Sequence, residues 1–209
     1  MSADLTYPVT DTTQAACQFK TPVYLLGLGV ALMKQHFGNQ NRLTLDKSSF
    51  IYTDDLTDPQ SALGIGHRDN LNFESMGKRP YIIVDLGEIS FPKSSINEHM
   101  GWDDSLGTTY FIEYVKASWV FNCLSPKPLE AWALAGEVKY FLQTYHKMIA
   151  GAYCLDELKV AAISGYAKIP DYEEIKGVSV IVNLSFQQNY GVTIDQLKLS
   201  AINLQLQPI

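Results

Sequence analysis

Alternation of apolar and polar residues dominates the second half of the chain. From Thr108 to Leu124, Phe111, Val115, Ala117, Trp119, Phe121 and Cys123 share one phase with Thr109 and Glu113. Successive strand residues point to opposite faces, so this mainly apolar set predicts a long strand with one face on a core. The other phase (Tyr110, Ile112, Tyr114, Lys116, Ser118, Val120, Asn122) turns polar in its second half. Ser125-Pro126-Lys127-Pro128 breaks the strand and launches a helix expected to run to about Ala150. Pro128 is tolerated in the first turn, and Glu130 complements the helix dipole there. Ala131, Leu134, Val138, Phe141, Leu142, Tyr145 and Ile149 recur at three-and-four spacing as its buried stripe, and Gly151 is the expected C′ residue.

Strand patterns return at Leu158–Ala167 and at Val178–Tyr190, where Val178, Val180, Val182, Leu184 and Phe186 share a face. A final strand is predicted over 197–207. Leu197, Leu199 and Ala201 keep one phase while Ile202, Leu204 and Leu206 take the other, which implies a bulge or bend near Ala201. The interspersed Lys198, Ser200, Asn203 and Gln205 make it an edge strand or an arm exchanged with a neighbour.

In the first half, Thr21 is a suitable N-cap and Pro22 a suitable first helical residue, with Val23, Leu26, Leu28, Val30, Met33 and Phe37 as apolar surface and Gly38-Asn39 as the stop. Gly27 and Gly29 each cost about 1 kcal/mol relative to alanine inside a helix, a cost that close packing against another backbone would offset. Leu43–Thr53 reads as a strand, and Asp54, Asp55, Asp58, Pro59, Gly64 and Gly66 mark a long loop over 54–78. Tyr81–Leu86 is a buried-strand pattern, followed by a second long loop over 88–107 that carries Trp102, Asp103 and Asp104. Residues 1–20 read as an extended N-terminal arm. The predicted class is α+β: a mainly antiparallel sheet flanked by two main helices, with long loops, in a single domain over 21–209.

Length and composition agree with one domain holding a sizeable core: 209 residues, 46% of them hydrophobic. A formal charge of −6, with arginine confined to Arg42, Arg68 and Arg79, disfavours sequence-specific nucleic-acid binding. It is compatible with a surface past which DNA slides, because an acidic wall repels phosphates. Cys17, Cys123 and Cys154 form no CxxC pair and are expected to be reduced thiols in a reducing compartment. The N-terminus lacks the basic-then-apolar plan of a signal peptide, and the apolar run Val23–Met33 is too short to cross a bilayer. These features predict a soluble protein assembled inside a cell.

Candidate chemistry is sparse. None of His36, His67, His99 and His146 stands four residues from another His or Cys, so no zinc signature exists. The acids Asp54, Asp55 and Asp58, and the pair Asp103 and Asp104, do not fit a calcium loop and read as solvated loop acids or interface contacts. Trp102, beside two of them, reads as an interface anchor. Gly27-Leu28-Gly29 lacks the strand and the third glycine of a nucleotide loop, and no serine or cysteine sits in a nucleophile motif. No catalytic residue, cofactor or metal site is assigned. An enzyme or small-molecule-binding domain would have to use Asp85, His99 and Asp103, converging in one concave site.

The order of elements is more suggestive. A helix around Pro22–Gly38, strands at Arg79–Leu86 and Tyr110–Cys123, the helix opening Pro128-Leu129-Glu130-Ala131, and strands from Val178 onward resemble the tail-terminator (tail-completion) proteins at the neck of tailed bacteriophages. The resemblance covers roughly residues 20–190. It implies a structural virion protein, made in the host cytoplasm, that forms a homo-oligomeric, hexameric ring. Such a ring ends the tail tube and offers a surface to the head connector, with a tail sheath as a further neighbour and DNA passing without specific binding. Under this resemblance the contacts between subunits and partners would fall on Asp54, Asp55, Asp58, Trp102, Asp103 and Asp104 in the loops, and on Leu197, Leu199, Ile202 and Leu204 in the last strand. Another tail or baseplate adaptor protein would share the same assembly logic.

Overall fold

The predicted α+β class is the observed one. A computed structural model describes residues 20–38, 50–53, 63–68, 79–92, 99–103, 108–169 and 172–193, with the backbone alone described over 99–103, 108–112, 167–169, 172–174 and 189–193. Helix α1 spans Pro22–Gly38 and helix α2 spans Pro128–Ala152. The strands are β1 (Gly64–His67), β2 (Tyr81–Ser90), β3 (His99–Asp103), β4 (Thr108–Ser125), β5 (Glu157–Ile163), β6 (Ala167–Ile169) and β7 (Tyr172–Thr193).

They form one seven-stranded sheet in the order β1-β2-β4-β7-β5, with β3 beside β4 and β6 beside β7. Only β1 and β2 run parallel; the other pairs are antiparallel. The backbone of the sheet is the β4–β7 pair, in continuous register from Thr108 opposite Thr193 to Ser125 opposite Lys176.

Both helices cover the same face. α1 lies over β1 and β2, and α2 lies over β4, β5 and β7. The predicted apolar phase of β4 supplies Val115, Ala117, Trp119, Phe121 and Cys123 to a core completed by Ile82, Val84 and the even-numbered residues Val178 to Phe186. At the start of α1, Thr21 Oγ1 accepts the Tyr24 N–H at 3.1 Å, as an N-cap should. Gly29 packs closely: a Cβ there would come within 2.9 Å of Val84 Cγ1 and 3.5 Å of Trp119 Nε1. Gly27 has no such reason, since nothing lies within 4 Å of its Cβ position. His36 near the end of α1 meets Glu137 of α2 at 3.3 Å and stacks on Phe141, with ring centroids 3.9 Å apart.

Several expectations need correction. α2 continues past Gly151 to Ala152, because the left-handed position falls three residues later, on Cys154 with φ of 50°. Leu155 N–H donates to Ala150 O at 2.9 Å across it, the bond that closes a Schellman turn. The loop over 54–78 contains β1, and the loop over 88–107 contains the end of β2 and all of β3. Phe50–Thr53 joins no sheet ladder; Tyr52 N–H donates to Phe37 O at 3.2 Å and Leu63 N–H to Ile51 O at 3.1 Å. Cys154 is disulfide-bonded, so not every cysteine is a reduced thiol, whereas Cys123 is free and buried, its thiol pushed well above the usual range by burial. Among the described residues no helix is long and apolar enough to cross a membrane.

Candidate assembly surface

Strand length is the unusual quantity in this fold. β4 has 18 residues and β7 has 22, against about 5–6 in an average strand. At about 3.4 Å per residue the pair makes a ribbon some 60 Å long. Its described core residues begin at Val115 on β4 and end at Phe186 on β7, and the ribbon runs on beyond them toward Thr108 and Thr193. β3 extends it sideways, with Trp102 opposite Thr109 and Asp103 opposite Thr108.

A polar pair stands beside the last described core residues of β4 and β7. Glu113 and Gln188 face each other in register, and Gln188 Nε2 donates to Glu113 Oε2 at 2.6 Å. Glu113, a polar member of the apolar phase of β4, thus has a partner from β7. Gln188 Oε1 and Ser185 Oγ, however, are buried with no hydrogen-bond partner among the described residues. An unsatisfied buried polar atom costs about 1–3 kcal/mol.

At the same place the pairing of β7 with β5 ends. β5 pairs with it only as far as Ser185, where Asp156 N–H donates to Ser185 O at 2.8 Å. From Phe186 to Thr193 no described strand pairs on that side. Lys20 marks the junction: it is 4% exposed, its Nζ donates to Cys154 O at 3.4 Å and sits 4.8 Å from the Phe186 ring centroid.

Burial holds the Lys20 pKa below its ordinary value, and the nearby Asp156 offsets this only in part. Between the folded value and 10.5 the unfolded chain binds more protons, so this group makes stability rise with pH through that window, and its penalty is full below it. Burial of Tyr81 acts oppositely: its phenol is raised, so its stabilising share is full below 10 and lost above. Lys20→Met should therefore stabilise the protein at neutral pH and remove the Lys20 share of the alkaline rise. Urea midpoints of both proteins at pH 7 and pH 10 test this; an unchanged difference between them would refute it.

The second sheet face carries no described helix. Tyr81, Ile83 and Leu124 form a small apolar cluster there with Ile175. Beside it a polar ladder crosses three strands. Asn122 Nδ2 donates to Asp85 Oδ2 at 2.8 Å, Ser179 Oγ donates to Asn122 Oδ1, and Ser179 N–H donates to Ser164 Oγ at 2.9 Å. These bonds tie the strands laterally.

The residues considered for an enzyme do not converge along the sheet. Asp85 stands opposite Val120 of β4, His99 opposite Phe111 and Asp103 opposite Thr108. Along β4 those positions are roughly 30 and 40 Å from the Asp85 level. Among the described residues no cluster of three His, Cys, Asp or Glu is arranged to hold a metal.

Of the expected contact residues, Trp102 and Asp103 lie on β3 rather than in a loop. Asp54, Asp55, Asp58, Asp104, Leu197, Leu199, Ile202 and Leu204 lie outside the described residues. The sequence reading passed over the outer face of α2, where Leu129 is 82%, Tyr140 69% and Met148 70% exposed. The signal was present, because these apolar residues interrupt the side opposite the buried stripe. Comparison of the chain with protein-family models finds no match, and comparison with curated proteins finds none either.

Proposed function

We propose that this protein is a structural subunit of a homo-oligomeric ring at the neck of a tailed phage, ending the tail tube and joining it to the head connector. The observation that carries the assembly part is the β7 edge away from β4, which no described strand pairs from Phe186 to Thr193, at the end of a ribbon of 18 and 22 residues. Long open edges invite pairing with another chain, and soluble proteins generally cover or blunt them. The apolar residues exposed on α2 add surface of the kind neighbours bury. The neck assignment rests on the order of elements, and the hexameric count follows from the same resemblance. Tube protein, connector and a tail sheath are the partners this reading names, with DNA passing through the ring.

Deleting residues 197–209 should leave the two-helix, β4–β7 body folded by circular dichroism while reducing the oligomer measured by light scattering. An oligomer of unchanged mass would remove the C-terminal segment from the interface. A tail or baseplate adaptor would show a different subunit count with the same edge.

A further inference from the structure

We infer that a disulfide between Cys154 and Cys17 latches the chain before α1 onto the end of α2, and that a small thiol opens it. The chain has three cysteines; Cys123 is free and Cys154 is disulfide-bonded, so within one chain Cys17 is the remaining partner. Cys17 itself lies outside the described residues, but Lys20 is among them. Lys20 is 4% exposed, donates from Nζ to the Cys154 carbonyl at 3.4 Å and sits 4.8 Å from the Phe186 ring centroid. Three residues of chain span at most about 10 Å, so the seat of Lys20 against Cys154 leaves residue 17 within reach of the bond.

Two features say what the bond does. Cys154 takes φ of 50° at the end of α2, a left-handed conformation that such turns usually give to glycine or asparagine. A residue that disfavours the turn occupies it, and what it brings there is a bonded sulfur. Lys20, in turn, is poorly held without covalent help. At 3.4 Å its hydrogen bond is long for N–H···O, and burying an amine costs unless it is well paired. The disulfide therefore keeps residue 20 in its seat over Phe186. Cys154 is only half-buried, so a small reagent reaches it, whereas Cys123 is fully buried. In the exchange a dithiol gives two electrons and two protons to the S–S bond, which becomes two thiols while the reagent leaves as its cyclic disulfide. Glutathione disulfide closes the bond by the reverse transfer and leaves as two glutathione thiols. The bond lies within one chain, so the latch works whatever the number of subunits.

To test this, the full-length protein is equilibrated with glutathione disulfide, and its disulfides are mapped by peptide mass spectrometry before and after dithiothreitol. Lysine acetylation is followed in the same samples, with the exposed Lys147 and Lys159 as references. The expected result is a Cys17–Cys154 peptide pair that dithiothreitol separates, with loss of Lys20 protection while Lys147 and Lys159 are unchanged. Cys123 should stay closed to iodoacetamide throughout, which marks the opening as local. Cys17→Ser and Cys154→Gly should each lose Lys20 protection without reductant and show no further change with it. Cys154→Gly suits the left-handed position, so loss of protection in that variant cannot come from a strained turn. Free thiols at 17 and 154 after oxidation, or a bond from Cys154 to a second chain, would overturn the pairing. Lys20 equally protected with the bond open, or Cys123 exposed together with it, would overturn the latch.

Discussion

Gly64→Ala should destabilise the protein by about 3 kcal/mol, the upper range for overpacking a filled site. A Cβ at this position would clash with the ring of Tyr81, the register partner of Gly64 on the neighbouring strand β2. The ring cannot simply swing away, because Tyr81 is 5% exposed and packed with Ile83 and Leu124. Tyr81→Ala should itself cost about 3–5 kcal/mol by loss of a buried aromatic. The decisive comparison is the pair: once Tyr81 is alanine, adding Gly64→Ala should cost far less than it does alone. A double-mutant cycle on urea midpoints measures this coupling. Additive effects would mean that the ring does not occupy the space over Gly64.

Trp119→Ala should cost about 3–5 kcal/mol, a large part of the roughly 5–15 kcal/mol that holds a domain folded. Trp119 is fully buried at the centre of β4, beneath Gly29 of α1, and its Nε1–H donates to Leu25 O at 2.9 Å. It therefore fastens α1 to the sheet through both packing and a hydrogen bond. Trp119→Phe keeps an aromatic ring but gives up the bond and some volume, so it should lose a clear fraction of this amount. Circular dichroism with urea titration checks both variants. A tryptophan replacement without effect on the midpoint would place α1 elsewhere.

What was legible in the sequence was set by one-sided burial. β4 and β7 alternate because one face meets the helices, so Val115 to Cys123 and Val178 to Phe186 fall in the predicted phase. α1 declared itself through Thr21 and Pro22 at one end and Gly38 at the other. β1 was hidden because Gly-Ile-Gly-His has loop composition and pairs with β2 across a long intervening segment. Its glycine serves to admit the Tyr81 ring, a tertiary demand that no local pattern displays. β3 is short, contains Gly101 and is defined by its partner β4. The same holds for the surface proposed for assembly. The Asp85–Asn122–Ser179 ladder joins residues 37 and 57 positions apart, and among the described residues β7 is left unpaired on one side only where β5 stops at Ser185.

The mass of the purified full-length protein, followed by native mass spectrometry and light scattering from dilute to concentrated solution, tests the central claim most directly. A discrete closed oligomer, with six subunits as the neck reading predicts, is the expected result. A monomer whose mass stays constant over the whole range would contradict a ring built on the β7 edge.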